Sequence, residues 1–291
     1  GSPPATPPAS SPGEPGAPGG AGRVGVMRLL AAHGLRPDTD LGQHFLLDEN
    51  LADLAVREAA VGPDDVALEI GAGLGVLTAA LARAARAVHA VEIDRRLEPA
   101  LGEVVARSRN VIVHWGDAMR MPLEELDPAP TALVSNLPYA IATPAMVESL
   151  WRLPTVGRWC VMAQREVVDR WLAPPGGRLY GGPSVLVQLT AETTFRRAVG
   201  REVFVPRPRV DSALVALRRV APGPSPALRA LVRAAFASRR KTLVNSLAAA
   251  GADKAAVVGA LADLGQPPSA RPEQVPPAGF AALAEALSWP A

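Results

Sequence analysis

VALEIGAGLGVLTAALARAA, residues 66–85, passes from a short apolar run through three glycines into an alanine- and leucine-rich run. VALEI has the length and bulk of a buried strand, GVLTAALARAA the composition of a helix, and Gly71, Gly73 and Gly75 fill the turn between them. Glycines in such a turn let backbone approach a ligand with no side chain in the way. Their spacing is G-x-G-x-G where the dinucleotide fingerprint has G-x-G-x-x-G, and the helix starts at once. That turns the expectation from a pyrophosphate towards a nucleoside without phosphates. A turn that serves only close packing of helix on strand is the other reading of the same glycines.

Outward from this unit the pattern alternates. AVHAVEI (87–93), NVIVHW (110–115), TALVS (131–135) and RWCVMAQ (158–164) read as strands, while RRLEPALGEVVARS (95–108), TPAMVESLW (143–151) and REVVDRWL (165–172) read as helices. Strands alternating with helices imply an α/β fold whose parallel sheet is covered on both faces. Upstream, VGVMRLLAAHG (24–34) has helical spacing, and LGQHFLLDENLADLAVREAA (41–60) reads as a loop entering an amphipathic helix capped by Asp48 or Asn50. Downstream come two shorter strands, TTFRRAV (193–199) and VDSALVALRRV (210–220), separated by VPRPR (205–209). PGPSP (222–226) reads as a linker, followed by helices in ALRALVRAAFASRRKTLVNSLAAAG, KAAVVGALADLG and PPAGFAALAEALS. The expected organisation is a disordered Pro/Gly-rich tail at 1–22, a main domain at 23–221 and a small helical domain at 222–291.

Among 291 residues, 48% are hydrophobic and 20% charged, as in folded globular proteins. No apolar run approaches the roughly 20 residues that span a bilayer, and the N-terminus lacks the basic start and apolar core of a secretory signal. Membrane and secreted classes are therefore not expected. The single cysteine, Cys160, excludes a disulfide framework and a Cys-rich zinc site and fits a reducing cytoplasm; its WCVM context reads as a buried strand. His33, His44, His89 and His114 have no metal-ligand spacing. The net charge of +2 hides an asymmetry: residues 195–241 carry twelve basic side chains against Glu202 and Asp211, or +10, which leaves −8 elsewhere. Such polarisation is the electrostatic footprint of a protein that meets a polyanion on one face, the alternative being an arginine-rich solvated surface.

Three further positions fall at ends of the expected parallel strands, the edge at which such sheets bind ligands. Glu92 ends the second, 21 residues after Gly71, where a carboxylate accepts hydrogen bonds from ribose hydroxyls. Asp117 follows the third, in HWGDAM, placed to accept from an exocyclic amino group. The fourth ends at Asn136-Leu137-Pro138-Tyr139.

With these residues in place, GQHFLLDENL, LEIGAGLGVLT, AVEID, GDAM, SNLPYAIATP, QREVVDR, YGGPSVLVQL, VFVPRPRVDSALV, FASRRKTLVNSL and RPEQV resemble, in order, the ribosomal RNA adenine N6,N6-dimethyltransferases, and among them the bacterial small-subunit enzymes of kasugamycin sensitivity. The resemblance covers about residues 40–285. It implies a Rossmann-like S-adenosylmethionine-dependent methyltransferase that dimethylates two adjacent adenosines in a hairpin of small-subunit RNA. The implied partner is the immature 30S particle, met by a cytoplasmic monomer. Carried over by motif, the cofactor meets His44, Leu46, Gly71, Gly73, Glu92 at the ribose, Asp117 at the adenine, and Asn136. The family more often has Asn at the position of His44. Two other readings share many of these motifs or their chemistry: a large-subunit methyltransferase of macrolide resistance, and an assembly factor whose RNA binding matters more than catalysis. An NAD-dependent oxidoreductase is a third.

The implied chemistry explains the residue types. An adenine amino nitrogen is a poor nucleophile because its lone pair is delocalised into the ring. Acceptors on its two N–H bonds, the Asn136 side-chain oxygen and the Leu137 carbonyl, favour a pyramidal nitrogen, Pro138 fixes their backbone, and Tyr139 stacks on a flipped-out base. Arg207, Arg209, Arg229, Arg233, Arg239, Arg240 and Lys241 are then expected to track RNA phosphates, with Arg229, Arg233 and Arg240 near one side of one helix.

Overall fold

The computed structural model describes residues 23–38, 41–238 and 240–290; the expected N-terminal tail and Arg239 lie outside the described residues. Eleven α-helices and nine strands occur among them. The strands are β1 (Phe45–Leu46), β2 (Val66–Ile70), β3 (Ala87–Glu92), β4 (Val111–Trp115), β5 (Ala132–Asn136), β6 (Arg158–Gln164), β7 (Ala191–Val199), β8 (Phe204–Val205) and β9 (Ser212–Arg219). The helices are α1 (Arg23–Ala32), α2 (Glu49–Glu58), α3 (Val76–Ala84), α4 (Glu98–Val105), α5 (Ala142–Arg152), α6 (Arg165–Trp171), α7 (Gly182–Thr190), α8 (Pro226–Phe236), α9 (Leu243–Ala249), α10 (Lys254–Asp263) and α11 (Pro277–Ala286).

Seven strands form one sheet in the order β4-β3-β2-β5-β6-β9-β7. The first five are parallel, as the alternating sequence predicts, and helices cross between them. β9 departs from the expected parallel sheet, pairing antiparallel with both β6 and β7. The reason is the connection: residues 200–211 hold only a 3₁₀ turn and β8, with no helix to carry the chain across a face, so β7 and β9 pair as a long hairpin.

Period-2 alternation divides the sheet's side chains between two cores. Ala67, Val134, Cys160, Met162 and Leu214 face α1, α2 and α3 through Leu29, Leu54 and Leu77. Leu68, Leu133, Val161 and Val215 face the other way, into a cluster with Met146 of α5, Val185 of α7 and the C-terminal helices through Leu231, Leu247, Leu261 and Phe280. The C-terminal helices thus share a continuous core with the sheet's helices. Residues 222–226 are tightly held there: a β-carbon on Gly223 would overlap the Leu150 carbonyl, and Ser225 caps α8.

Arg219 seals the end of α5. Its guanidinium donates to the carbonyls of Leu150, Leu153 and Val156 at 3.0, 3.1 and 2.7 Å and lies over the Trp159 ring. Of these, Leu150 belongs to the last turn of α5, Leu153 is its C-cap, and Val156 lies in the loop beyond.

One helix of the sequence reading breaks. The run 227–251 is α8 and α9 separated by residues 237–242, because the Thr242 hydroxyl accepts from Asn245 N–H to start a new helix and Leu243 N–H turns to the Ala270 carbonyl. Arg240 therefore sits in the turn and does not share a helix side with Arg229 and Arg233.

Candidate active site

From β2 the chain runs on through β3 and β4 to one side, and from β5 to the other, so the order reverses between β2 and β5. Open α/β sheets bind ligands outside the carboxyl ends of the strands at such a switch point. A cavity lies there, and its wall includes His44, Leu46, Gly71, Gly73, Glu92 and the whole Asn136–Tyr139 turn. The structure thereby brings together residues 44–139 of the expected set with one exception. Asp117 stands just past β4, accepting from Met119 N–H at 2.9 Å and lying 3.4 Å from the Arg120 guanidinium, outside that wall.

The packing reading of the glycine turn holds at two of its glycines. Gly75 has φ +80°, and a β-carbon there would meet Leu101 and Val104 of α4 at 2.9 Å, so it serves helix packing. Gly71 has φ +83°, and its β-carbon would meet the Pro138 ring at 3.0 Å. Its bareness lets the Asn136–Tyr139 turn after β5 close against the glycine loop of β2.

Glu92 is buried. Its oxygens accept from Gly73 N–H at 2.8 Å and Asp94 N–H at 2.9 Å, while burial pushes its carboxyl up from the ordinary range. Asp94 continues the chain of contacts: it accepts from the Gln43 amide at 2.7 Å and from Arg96, which also pairs with Asp38. Gln43 in turn accepts from Asp38 N–H at 2.7 Å. The segment before β1 is thus latched to the loop after β3, closing one side of the cavity.

Sequence reasoning missed Glu69, which lines the same wall. It is buried, takes a 2.6 Å hydrogen bond from the Thr78 hydroxyl, and burial pushes it up to about 8, with the neighbouring Glu92 adding to the rise. The available signal was a carboxylate inside the otherwise apolar strand VALEI. Ile93, half exposed on the cavity wall, was likewise passed over as the end of a strand.

At the Asn136–Tyr139 turn, Asn136 donates its side-chain N–H to the His44 carbonyl at 3.0 Å, which turns its side-chain oxygen the other way. Leu137 N–H extends the β5–β6 ladder to the Met162 carbonyl at 3.0 Å, and the Leu137 side chain is buried. Among the described residues neither the Asn136 side-chain oxygen nor the Leu137 carbonyl receives a hydrogen bond. Two acceptors are therefore free at one turn. Tyr139 is anchored by its hydroxyl to Ser212 at 2.7 Å, and its ring lies 5.0 Å from the His44 ring at 36°.

The wall carries the carboxyls of Glu69 and Glu92 and no arginine or lysine. These acceptors suit a ligand that carries hydroxyl and amino donors, and the wall offers a pyrophosphate no cation, although the N-terminus of α3 at Val76 and Leu77 is part of it.

The basic residues divide by use. Arg207, Arg209, Arg233, Arg240 and Lys241 are exposed. Arg229 is half-buried with its guanidinium 4.3 Å over the Trp151 ring. Arg196, Arg201 and Arg218 pair with Asp169, Asp211 and Glu192. About half of the positive run is thus committed within the fold.

A family model described as ribosomal RNA adenine dimethylase matches residues 34–259. A protein of Thermobifida fusca named ribosomal RNA small subunit methyltransferase A is 45% identical over 89% of this chain and 93% of its own length. One of the same name from Streptomyces coelicolor is 46% identical over 89% and 94%. Among solved structures, a dimethyladenosine transferase from Plasmodium falciparum shares the fold with a TM-score of 0.69 at 24% identity, covering 82% of this chain and 96% of that one. The 23S rRNA methyltransferase ErmE aligns with a TM-score of 0.64 at 29% identity, over 84% and 99%. With a free-acceptor turn of Asn136 to Tyr139 at the switch point of its sheet, and this family model spanning most of its length, the chain belongs to the ribosomal RNA adenine dimethylase family.

Proposed function

We propose that this chain transfers methyl groups from S-adenosylmethionine to N6 of two adjacent adenosines in a hairpin of small-subunit ribosomal RNA, acting as a cytoplasmic monomer on an immature 30S particle. The observation that carries the reading is the turn at the end of β5, where two unpaired acceptors and an anchored aromatic ring meet at the edge of the cavity. The relatives named for the small subunit support that subunit over the large one.

Bound in the cavity, S-adenosylmethionine supplies an electrophilic methyl on its sulfonium. Gly71 and Gly73 offer bare backbone to it, and Glu92 accepts from its ribose hydroxyls. The Asn136 side-chain oxygen and the Leu137 carbonyl accept from the two N–H bonds of the target amino group, which frees its lone pair towards the methyl. Tyr139 holds the flipped base by its face. Asp117, just past β4 and outside the cavity wall, is the residue that the family resemblance assigns to the adenine of the cofactor. No strong base is needed, because the alkylated amine is acidic enough to give its proton to water, so catalysis is positioning and in-line approach. Arg207, Arg209, Arg233, Arg240 and Lys241 meet phosphates, while Arg229 contributes through the surface it shares with Trp151. Arg239 completes the same basic segment in sequence.

The test is mass spectrometry of nucleosides from undermethylated 30S particles incubated with the protein and S-adenosylmethionine. Dimethyladenosine is the expected product; its absence overturns the reading. Methylation of protein-free 23S RNA in place of the particle would move the activity to the large subunit.

A further inference from the structure

Three contacts converge on His44, which is also part of the cavity wall. Its backbone carbonyl takes the Asn136 amide at 3.0 Å, its ring lies 5.0 Å from that of Tyr139, and its Nδ1 is 2.7 Å from the Pro206 carbonyl. A carbonyl only accepts, so Nδ1 carries the proton and donates. The surrounding chain is stitched along the same line: β1 pairs antiparallel with β8, and Leu47 N–H reaches the Val203 carbonyl at 2.7 Å. Immediately after Pro206 come the exposed Arg207 and Arg209.

We propose that His44 is a positioning residue that couples RNA docking on the Pro206–Arg209 loop to the placement of Tyr139 and Asn136, an inference that rests on the methyltransferase reading. Tyr139 is fixed at its hydroxyl end by Ser212, which leaves rotation of its ring about that anchor as the freedom the His44 ring removes. A phosphate pulling on Arg207 acts one residue from the carbonyl that holds the His44 ring. Any shift of residue 44 also moves the Asn136 amide, because the same residue's carbonyl orients it. With one ring nitrogen and one ring face committed in this way, the side chain of His44 works on the RNA side of the site and its backbone on the cofactor side.

Three substitutions separate the contacts. His44→Asn keeps a donor where Nδ1 stands and loses the ring; His44→Phe keeps the ring and loses the donor; His44→Ala loses both. On undermethylated 30S particles, His44→Ala is expected to lower kcat/KM for RNA by about tenfold or more, and the other two by about three- to tenfold, the size of one hydrogen bond or one ring contact. S-adenosylmethionine affinity is read alongside by calorimetric titration of the protein without RNA, because His44 is part of the cavity wall, and the fall in kcat/KM for RNA must exceed any fall in that affinity. A fall in cofactor affinity that matches the fall in kcat/KM overturns the proposal, as does RNA kinetics unchanged in all three. A double-mutant cycle of His44→Phe with Arg207→Ala, both measured on the same particles, must show non-additivity; additive losses also overturn it. Wild-type protein that makes no dimethyladenosine would instead overturn the methyltransferase reading, so the two failures are distinct.

Discussion

Gly71 and Pro138 stand so close that a β-carbon on the glycine would lie 3.0 Å from the proline ring. The glycine loop of β2 and the Asn136–Tyr139 turn of β5 are thereby locked to one another, and the locking depends on an absent side chain. Gly71→Ala meets both that contact and the left-handed backbone at φ +83°. It is expected to lower stability by about 1–3 kcal/mol, read by thermal or denaturant unfolding, and to lower kcat by more than it raises KM for S-adenosylmethionine, because the turn is pushed from its place.

Asn136 holds the His44 carbonyl with its nitrogen and presents its oxygen to the site. Asn136→Ala removes one of two acceptors on the target amino group, and kcat should fall by about a hundredfold or more, as when one preorganised hydrogen-bonding group is deleted from an active site. RNA affinity, read by filter binding to 30S particles, should be unchanged. A variant that retains wild-type turnover would remove Asn136 from the chemistry. An Asn136→Ala protein that fails to methylate but still supports 30S maturation would favour the assembly-factor role.

Much of this was legible in the sequence, for identifiable reasons. VALEI and its glycines announced the first strand and turn because a buried parallel strand has no polar alternation to blur it, and Asp48 was readable as a cap, which it is, accepting from Asn50 and Leu51 N–H. The antiparallel β9 was not legible, since strand direction is set by what the connection contains and not by the strand's own residues. The break after α8 was hidden because Ala, Ser and Arg through 234–240 read as continuous helix, while the Thr242 cap and the Ala270 carbonyl that end it act from beyond the run. Within the site, residues fixed by a motif were visible, but Glu69 was absorbed into its strand, and the links from His44 to Pro206 and Tyr139 join positions 162 and 95 residues apart.

Glu69 gives the protein a pH dependence whose sign can be stated. Burial raises its carboxyl from an ordinary 4.5 to about 8, so it stays protonated in the folded protein while the unfolded chain ionises. The folded state therefore loses stability as pH rises from about 4.5 to about 8, and the loss is complete above that window. Glu69→Gln keeps an acceptor for Thr78 and removes the titration. Its melting temperature relative to wild type should rise steadily between about pH 5 and 8. Taking the difference cancels His114, whose lowered value acts in the opposite sense by costing stability as pH falls below 6.5. A flat difference across that window would show that Glu69 is ionised in the folded protein.

The arginines of the basic segment should separate into two classes under substitution. Arg219 is consumed by three carbonyls in and just after α5 and by the Trp159 ring, and Arg219→Ala removes those hydrogen bonds, leaving the Leu153 carbonyl only its bond from Val156 N–H. It is expected to cost about 2–4 kcal/mol of folding stability, read by denaturant unfolding, without altering how RNA affinity depends on salt. Arg207 is exposed beside the catalytic turn and held by no carboxylate among the described residues. Arg207→Ala should leave the melting temperature unchanged and reduce the slope of log affinity against log salt concentration by about 0.7–0.9, the share of one phosphate contact. The local charge of +10 overstates the RNA-facing charge because residues such as Arg219 are spent on the fold. If Arg219→Ala lowered the salt slope as much as Arg207→Ala, the two classes would be one, and the RNA path would have to extend over the end of α5.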